Sequence, residues 1–470
     1  MLRNILAAAS IGTLMACSAL AAPAPAPPTG EPAFRDLYKE LVETNTSLSV
    51  GDCTLAADRL ATRLKAAGYP EADVKVWTAE GHPKEGGLFA RLPGTDAKAK
   101  AILMLGHLDV VEARREDWTR DPFKLVEEDG YFYGRGTYDD KAMAAVWVDT
   151  LIRYRQEGYK PKRTLKLALT CGEETSGAFN GAEYLAKNER ALIDAEFAIN
   201  EGGGGQLDAS GKPIFAGIQV GEKLPQDYTL EVTNPGGHSS RPMPNNAINQ
   251  LAFGLTRIAQ YKFPITFNDT TRAFLKEMAT IKGGEDGAAM LALVNNPNDK
   301  TAAARLEADP DYNRILHTTC IATMLDAGHA TNALPQRARA NINCRIFPGT
   351  SVEEVRQQLE TLAGDPAIKV TIRSTRSPPA PPPPLDAKVI DPAVKLSKSM
   401  FPGVPNLMIM QAGATDGAFL TPVGIPTYGI SGMFVDADGN GIHGLNERIK
   451  IKTLMDGREY LYRLMKVYAG

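Results

Sequence analysis

"AEFAINEGGGGQ", residues 195–206, carries an apolar run onto Glu201 and then turns into four glycines. A phosphate-binding loop would lead its glycines into a helix and follow them with a Lys-Ser/Thr pair; no such pair follows here. A short apolar run bounded by a turn reads as a buried strand. Glu201 is therefore a carboxylate at a strand end, on a turn without side chains to shield it.

The flanking segments repeat this arrangement. "GGLFARLPG" (86–94), "KAILMLGH" (100–107) and "TLKLALTCGEE" (164–174) are further strand-like runs. Between them lie helical stretches, "DDKAMAAVWVDTLIRYRQEG" (139–158) and "FNGAEYLAKNERALI" (179–193). Residues 35–68 read as helices, with "AADRLATRLKAAG" ending on a glycine. Alternating strands and helices predict an α/β fold, a sheet covered on both faces.

From about Tyr228 the texture changes. "YTLEVTNPGGHSS" (228–240) alternates like a half-exposed strand, "NNAINQLAFGLTRIAQY" (245–261) reads as a helix, and residues 318–349 read as two strands joined by a loop. "SVEEVRQQLETLAG" (351–364) opens with a Ser-x-x-Glu capping box, and "IKVTIRST" (368–375) is another strand. That order is the recipe for a small split βαβ, ferredoxin-like α+β domain. Residues 267–315, polar and irregular, read as an insertion within it. The proline run "SPPAPPPPLD" (377–386) is a stiff connector back to α/β texture. The expected division is a leader at 1–21, a catalytic domain at 32–225 and 379–470, and the interrupting domain at 226–378.

The first residues, "MLRNILAAASIGTLMACSALAAPAPAP", fit a secretory signal: Arg3, an apolar stretch from Ile5 to Ala16, and small residues before Ala22. The stretch is short for a membrane span. "LMAC" ending at Cys17 offers a second reading, an imperfect lipoprotein cleavage box with a lipid anchor. Both readings export the protein, to the periplasm or the extracellular space, and the Pro-Ala repeats to Pro28 serve as a spacer. Net charge over the 470 residues is −3, with no long block of one sign, which argues against nucleic acid as a partner.

Cys53, Cys171, Cys320 and Cys344 allow two disulfides in three pairings. Cys320 and Cys344 flank "GHATNALP", and a hairpin folded near residue 332 sets them opposite each other. Cys53 with Cys171 is then the remaining pair.

The chemistry gathers at strand ends and one helix start: His107 and Asp109, Asp139 and Asp140, Glu173 and Glu174, and Glu201, with His443 a later candidate between glycines. Ligand sites in α/β sheets lie at the carboxyl ends of strands. Taken singly, each cluster has an ordinary reading as a surface turn, a solvated pair or a helix N-terminus. Together they form a set of carboxylates that cannot converge without a countercharge. Divalent metal supplies it, and imidazole with carboxylate and no thiolate suits zinc that keeps a position open for water.

In this order, "GHLDVV" (106–111), "YGRGTYDDK" (133–141), "GEE" (172–174), "NEGG" (200–203), "GGHSSRP" (236–242) and "HGLNER" (443–448) resemble the co-catalytic zinc peptidases. That family includes carboxypeptidase G, succinyl-diaminopimelate desuccinylase, acetylornithine deacetylase and aminoacylase. "GATDGAFL" (413–420) and "GIPTYGI" (424–430) look nearest to the branch of Gly-X carboxypeptidase and the secreted N-acyl amino acid hydrolases. The resemblance implies two Zn²⁺ per chain, with Co²⁺ a possible substitute. His107 and Glu201 would bind one ion, Glu174 and His443 the other, and Asp139 would bridge. Asp109 would orient His107, and Glu173 would act as general base. His238 would stabilise the oxyanion, in the family often from a neighbouring subunit. Asn332, Arg345, Gly413 and Thr415 would contact substrate, Arg345 through a free carboxylate.

The resemblance also implies a cis peptide between Asp139 and Asp140, a lid or dimerisation role for the smaller domain, and a homodimer. Two departures stand out: alanine where glycine often follows the lysine of "DDKAMAA", and the long insertion before His317. The expected activity is an exopeptidase, carboxypeptidase or dipeptidase. An N-acyl amino acid amidohydrolase is the alternative, and a non-catalytic zinc or peptide binder the remote one.

Overall fold

The computed structural model describes residues 30–175, 178–375 and 379–470. The leader, the Cys17 anchor and the spacer lie outside them. Among the described residues no helix is long and apolar enough to cross a membrane.

A large mixed sheet carries the chain's first half and its end. At its centre Leu165–Thr170, Ile102–His107, Phe197–Asn200 and Thr427–Gly429 run parallel, in that spatial order. His82–Leu92 and Val74–Ala79 extend one side antiparallel. Pro213–Glu222 extends the other side, pairing with Gly204–Leu207 and, in parallel, with Asn406–Gln411. The four residues Ile102 to Leu105 are fully buried, as near-continuous apolar runs in a parallel sheet should be. Helix Lys141–Gln156 packs on that strand, and helices Glu31–Glu43 and Ile451–Ala469 cover it from outside. Trp147 is buried there and donates its Nε1 hydrogen to the Leu105 carbonyl (2.9 Å), two residues before His107. Burying each such large side chain contributes about 1.5–3 kcal/mol, so the strand that delivers His107 is among the best anchored.

The smaller sheet is antiparallel throughout, in the order Thr319–Ala327, Arg337–Ile346, Leu224–Thr233, Lys369–Thr375. Helices Ala247–Gln260 and Val352–Ala363 pack on it around Tyr228, Leu251, Ile342 and Leu359. The Ser351–Glu354 capping box forms as the sequence predicts. Cys320 stands opposite Cys344 in register and is bonded to it; Cys53 is bonded to Cys171.

The insertion differs from its sequence reading. Residues 267–315 are not irregular; most of them lie in four helices, Asp269–Lys282, Gly284–Asn295, Lys300–Glu307 and Pro310–Leu316. Their core of Leu275, Met290, Leu293 and Leu316 also takes in Leu407, Ile409 and Phe215 of the large sheet. Short amphipathic faces broken by caps gave no long periodic signal, and their partners lie far along the chain. Lys223, fully buried, fixes the end of this layer by donating to the Arg314 and His317 carbonyls.

The two crossings between the sheets touch. Gly221 has φ +106°, and a Cβ there would fall 2.7 Å from Pro382 of the proline run. Only glycine lets the outgoing and returning chains approach this closely.

Candidate active site

Three adjacent parallel strands end at the same place. His107 terminates one, Glu173 and Glu174 follow Thr170 of the second, and Glu201 follows Asn200 of the third. Asp139 arrives from the start of helix Lys141–Gln156 across a cis peptide to Asp140. The glycine run answers the question Glu201 raised. Gly202, Gly203 and Gly204 have φ of +89°, +65° and +67°, and a Cβ on Gly203 would lie 2.3 Å from the Gly429 carbonyl. The turn is pressed against the neighbouring strand, which leaves Glu201 facing the other strand ends.

Two ligand sets form around one shared carboxylate. His107, Asp139 and Glu201 offer atoms within 4.8 Å of one another, and so do Asp139, Glu174 and His443. His107 Nε2 lies 3.2 Å from Asp139 Oδ1 and 3.6 Å from Glu201 Oε1. His443 Nε2 lies 3.0 Å from Asp139 Oδ2 and 2.9 Å from Glu174 Oε1. Asp139 thus turns one oxygen to each set, as a bridging carboxylate must. The sets differ in exposure: His107 is 1% exposed, His443 53%.

The electrostatics call for added positive charge. Burial, then the charge of Glu201, pushes the Glu173 carboxyl well up; burial likewise pushes Glu201 up to about 7. Hydrogen bonds to Asp139 and Glu174 raise His443 to about 10. Burial opposes ionisation of Asp139, but His107 and His443 outweigh it and hold that carboxyl low. Several carboxyls in one dry space ionise together only beside cations. The four cysteines are spent in disulfides, so the donor set is oxygen and imidazole nitrogen alone. These residues fit two divalent metal ions.

Asp109 does more than orient His107. His107 Nδ1 bonds the Asp109 backbone carbonyl at 3.0 Å, while the nearer carboxylate oxygen is at 3.6 Å. That carboxylate accepts from the backbone N–H of Glu174 (2.9 Å) and of Glu173 (3.3 Å), fixing the turn that carries both.

Glu447 went unassigned in the sequence. Its buried Oε2 accepts from Arg135 (2.7 Å) and Gly136 N–H (2.9 Å), and its Oε1 from Tyr138 N–H (2.8 Å) and Asp139 N–H (3.1 Å). Arg135 also donates to the Gly444 carbonyl at 2.7 Å, beside His443, whose φ of 58° is left-handed. One ion pair thus holds both Asp139 and the strained His443 turn. The one available signal was the acidic residue inside "HGLNER".

Other elements carry the remaining candidates. His238, exposed, pairs its short strand with Ala333, and its Nδ1 accepts from Ser240 N–H at 3.1 Å. Among the described residues it makes no hydrogen bond or ion pair to the five ligands. Asn332, exposed, accepts from Ser239 N–H through its carbonyl. Arg345 is half-buried on the smaller sheet, opposite Pro225 and Thr319. Gly413 is exposed two residues past strand Asn406–Gln411, and Thr415 donates its hydroxyl hydrogen to Glu222 Oε2 at 2.9 Å.

Fold and site together define a metal-dependent amide hydrolase on a covered mixed sheet. The chain belongs to Peptidase family M20/M25/M40, whose model matches residues 103–467. It is 30% identical over 386 residues to the human N-fatty-acyl-amino acid synthase/hydrolase PM20D1, covering 80% of this chain and 75% of that protein. In fold it is similar to the M20 family metallo-carboxypeptidase Sso-CP2 from Sulfolobus solfataricus, at TM-score 0.70 and 19% identity, covering 93% of this chain and 99% of the other. It is also similar to YXEP from Bacillus subtilis, described as a dinuclear metal binding peptidase, at TM-score 0.56 and 13% identity, covering 93% and 98%.

Proposed function

We propose that the protein is an exported dizinc exopeptidase that splits small peptides, with Glu173 as general base. The observation that carries this reading is Asp139, one oxygen turned to each of two imidazole-carboxylate sets. When bound, the two ions would polarise the amide carbonyl and lower the pKa of an attacking water. His107, Asp139 and Glu201 would hold one; Asp139, Glu174 and His443 the other. Glu173 takes the proton of the attacking water and returns it to the leaving nitrogen. His238 donates to the developing oxyanion, and Arg345 receives the substrate carboxylate. The backbone of Gly413 and Asn332 complete the substrate contacts.

Thr415, whose hydroxyl hydrogen goes to Glu222, would offer its hydroxyl oxygen to the substrate. A second reading, hydrolysis of N-acyl amino acids, rests on the similarity to PM20D1. Export is supported by residues 1–21 and by two disulfides, which persist in oxidising compartments. Self-association is supported by the edge strand Thr319–Ala327, where Ile321, Met324 and Leu325 are more than 60% exposed. Chelation should abolish hydrolysis of both dipeptides and acyl amino acids, and zinc or cobalt should restore it. Full activity in a metal-free protein would overturn the dizinc reading, and the better substrate panel chooses between the two activities.

A further inference from the structure

A cavity of about 60 Å³ adjoins Glu201, between the two chain crossings and the turn that carries Thr415. Leu224 and Pro382 wall it on the crossing side; Asn200, Gln219 and Glu222 supply polar groups. Asn200 and Gln219 are more than nine-tenths buried. Both amide atoms of Asn200, the Gln219 Oε1 and the Glu222 Oε1 are buried with no protein partner. Each such atom costs about 1–3 kcal/mol unless something meets it.

The other Glu222 oxygen is already satisfied. Oε2 accepts from Thr415 at 2.9 Å and from Gln219 Nε2 at 3.3 Å. The one lysine in the wall, Lys223, is turned away onto two carbonyls of the helical insertion. What remains unpartnered among these wall residues is one donor, Asn200 Nδ2, against three acceptors; beside the metal ligand Glu201 the wall holds one further acidic residue, Glu222, and no available cation among the described residues.

We propose that this cavity is a subsite for a cationic nitrogen of the substrate, received by Glu222 Oε1 and Gln219 Oε1. The proposal rests on the amide-hydrolase reading of the adjoining metal-ligand cluster. Burial pushes the Glu222 carboxyl up to about 8, against the help of Thr415; a cation beside it would restore the charge that burial penalises. The space holds about four water-sized groups, enough for an ammonium and its nearest carbons. The shared chemistry is a primary ammonium, whether the α-ammonium of a dipeptide or the side chain of a lysyl residue.

The metal-loaded enzyme would be assayed on two pairs: glycyl-leucine against N-acetyl-glycyl-leucine, and N-acetyl-lysyl-leucine against N-acetyl-norleucyl-leucine. One charged member should exceed its neutral counterpart in kcat/KM by about tenfold or more, the worth of a charge-assisted hydrogen bond. The pair that shows the preference identifies which ammonium is received. Glu222→Gln keeps an acceptor for Thr415 but removes the charge. It should shrink the preference to within about twofold, mainly through KM, with metal content intact. A preference absent from both pairs, or one that survives in Glu222→Gln, overturns the subsite.

Calorimetric titration of metal-loaded Glu173→Gln with the same four compounds separates this from the hydrolase reading. Charged compounds that bind this variant preferentially, while the metal-loaded wild-type protein hydrolyses none of the four, would uphold the subsite and sink the activity. Equal binding of charged and neutral partners would sink the subsite.

Discussion

The metal-ligand cradle and the His238 hairpin are built on opposite plans. In the cradle four of the five ligands are held from behind: His107 by the Asp109 carbonyl, Asp139 by Glu447, Glu174 by the Asp109 carboxylate, and the His443 turn by Arg135. Asp416, buried, adds a further brace by accepting from Thr170 and Asn180 near Glu173. His238 has a two-residue strand, its neighbour Ser240 and a backbone bond from Arg241 N–H to its carbonyl. A rigid cradle fixes reacting groups where charge develops, whereas an exposed histidine with the role proposed for His238 would have to be delivered by motion or by a second chain. On that proposal the two crossings near Gly221 and Pro382 would serve as the hinge.

The largest expected effect lies in the cradle. Glu173→Gln should retain metal and lose about 10²–10⁴-fold or more in kcat, the usual loss of a general base. Glu174→Gln should instead lower metal occupancy, because Glu174 meets His443 at 2.9 Å while Glu173 contacts none of the ligands by a described hydrogen bond. Metal analysis beside kinetics checks the pair; exchanged effects would reverse the two roles.

His238→Ala should come next, with kcat down about 10²–10³-fold and metal content unchanged. Mixing it with Glu173→Gln tests which chain supplies the histidine. In a mixed dimer one site regains both residues, so activity should return if the histidine crosses between subunits. No recovery after proven exchange would assign each histidine to its own chain.

A smaller effect tests why the cradle is rigid. Glu447→Gln keeps the shape but weakens the pull on Arg135 and on the N–H groups of Gly136, Tyr138 and Asp139. Metal affinity should fall about 10–100-fold, as for other supporting groups around metal ligands. Both sets share Asp139, yet the exposed His443 set should lose its ion first, because Arg135 braces that turn too. Stepwise chelator competition reads the order, and equal loss from both sites would confine Glu447 to Asp139 alone.

The contrast also explains what could be read from the sequence. Ligands were legible because each lies within a short motif, four of them at a strand end or a helix start and His443 on a turn beside glycine. Glu447 was not, since its donors lie 308–312 residues away and nothing local marks the pairing. Glu222 was hidden for the same reason: its partner Thr415 is 193 residues on. The helical insertion misread as irregular because its helices are short and part of its core belongs to the large sheet. The Cys320–Cys344 pair was legible because a hairpin is a local geometry.

The smallest predicted effect uses the two disulfides, one in each region. Cys53–Cys171 spans 118 residues and ties helix Cys53–Ala66 to the strand end just before Glu173. Cys320–Cys344 spans 24 residues and closes the hairpin against which His238 pairs. Loop-closure entropy assigns about 4.9 kcal/mol to the longer span and about 3.4 kcal/mol to the shorter. The shorter bond is also redundant with its surroundings, because the two strands it joins remain paired from Thr319 to Ala327. Replacing Cys320 and Cys344 by alanine should therefore leave metal content intact and change kcat by no more than about threefold. Replacing Cys53 and Cys171 should loosen the Glu173 turn and cost more in both kcat and thermal stability. If the hairpin pair proved the more damaging, the His238 region would owe its order to that bond, and the division between a braced cradle and a delivered histidine would have to be redrawn.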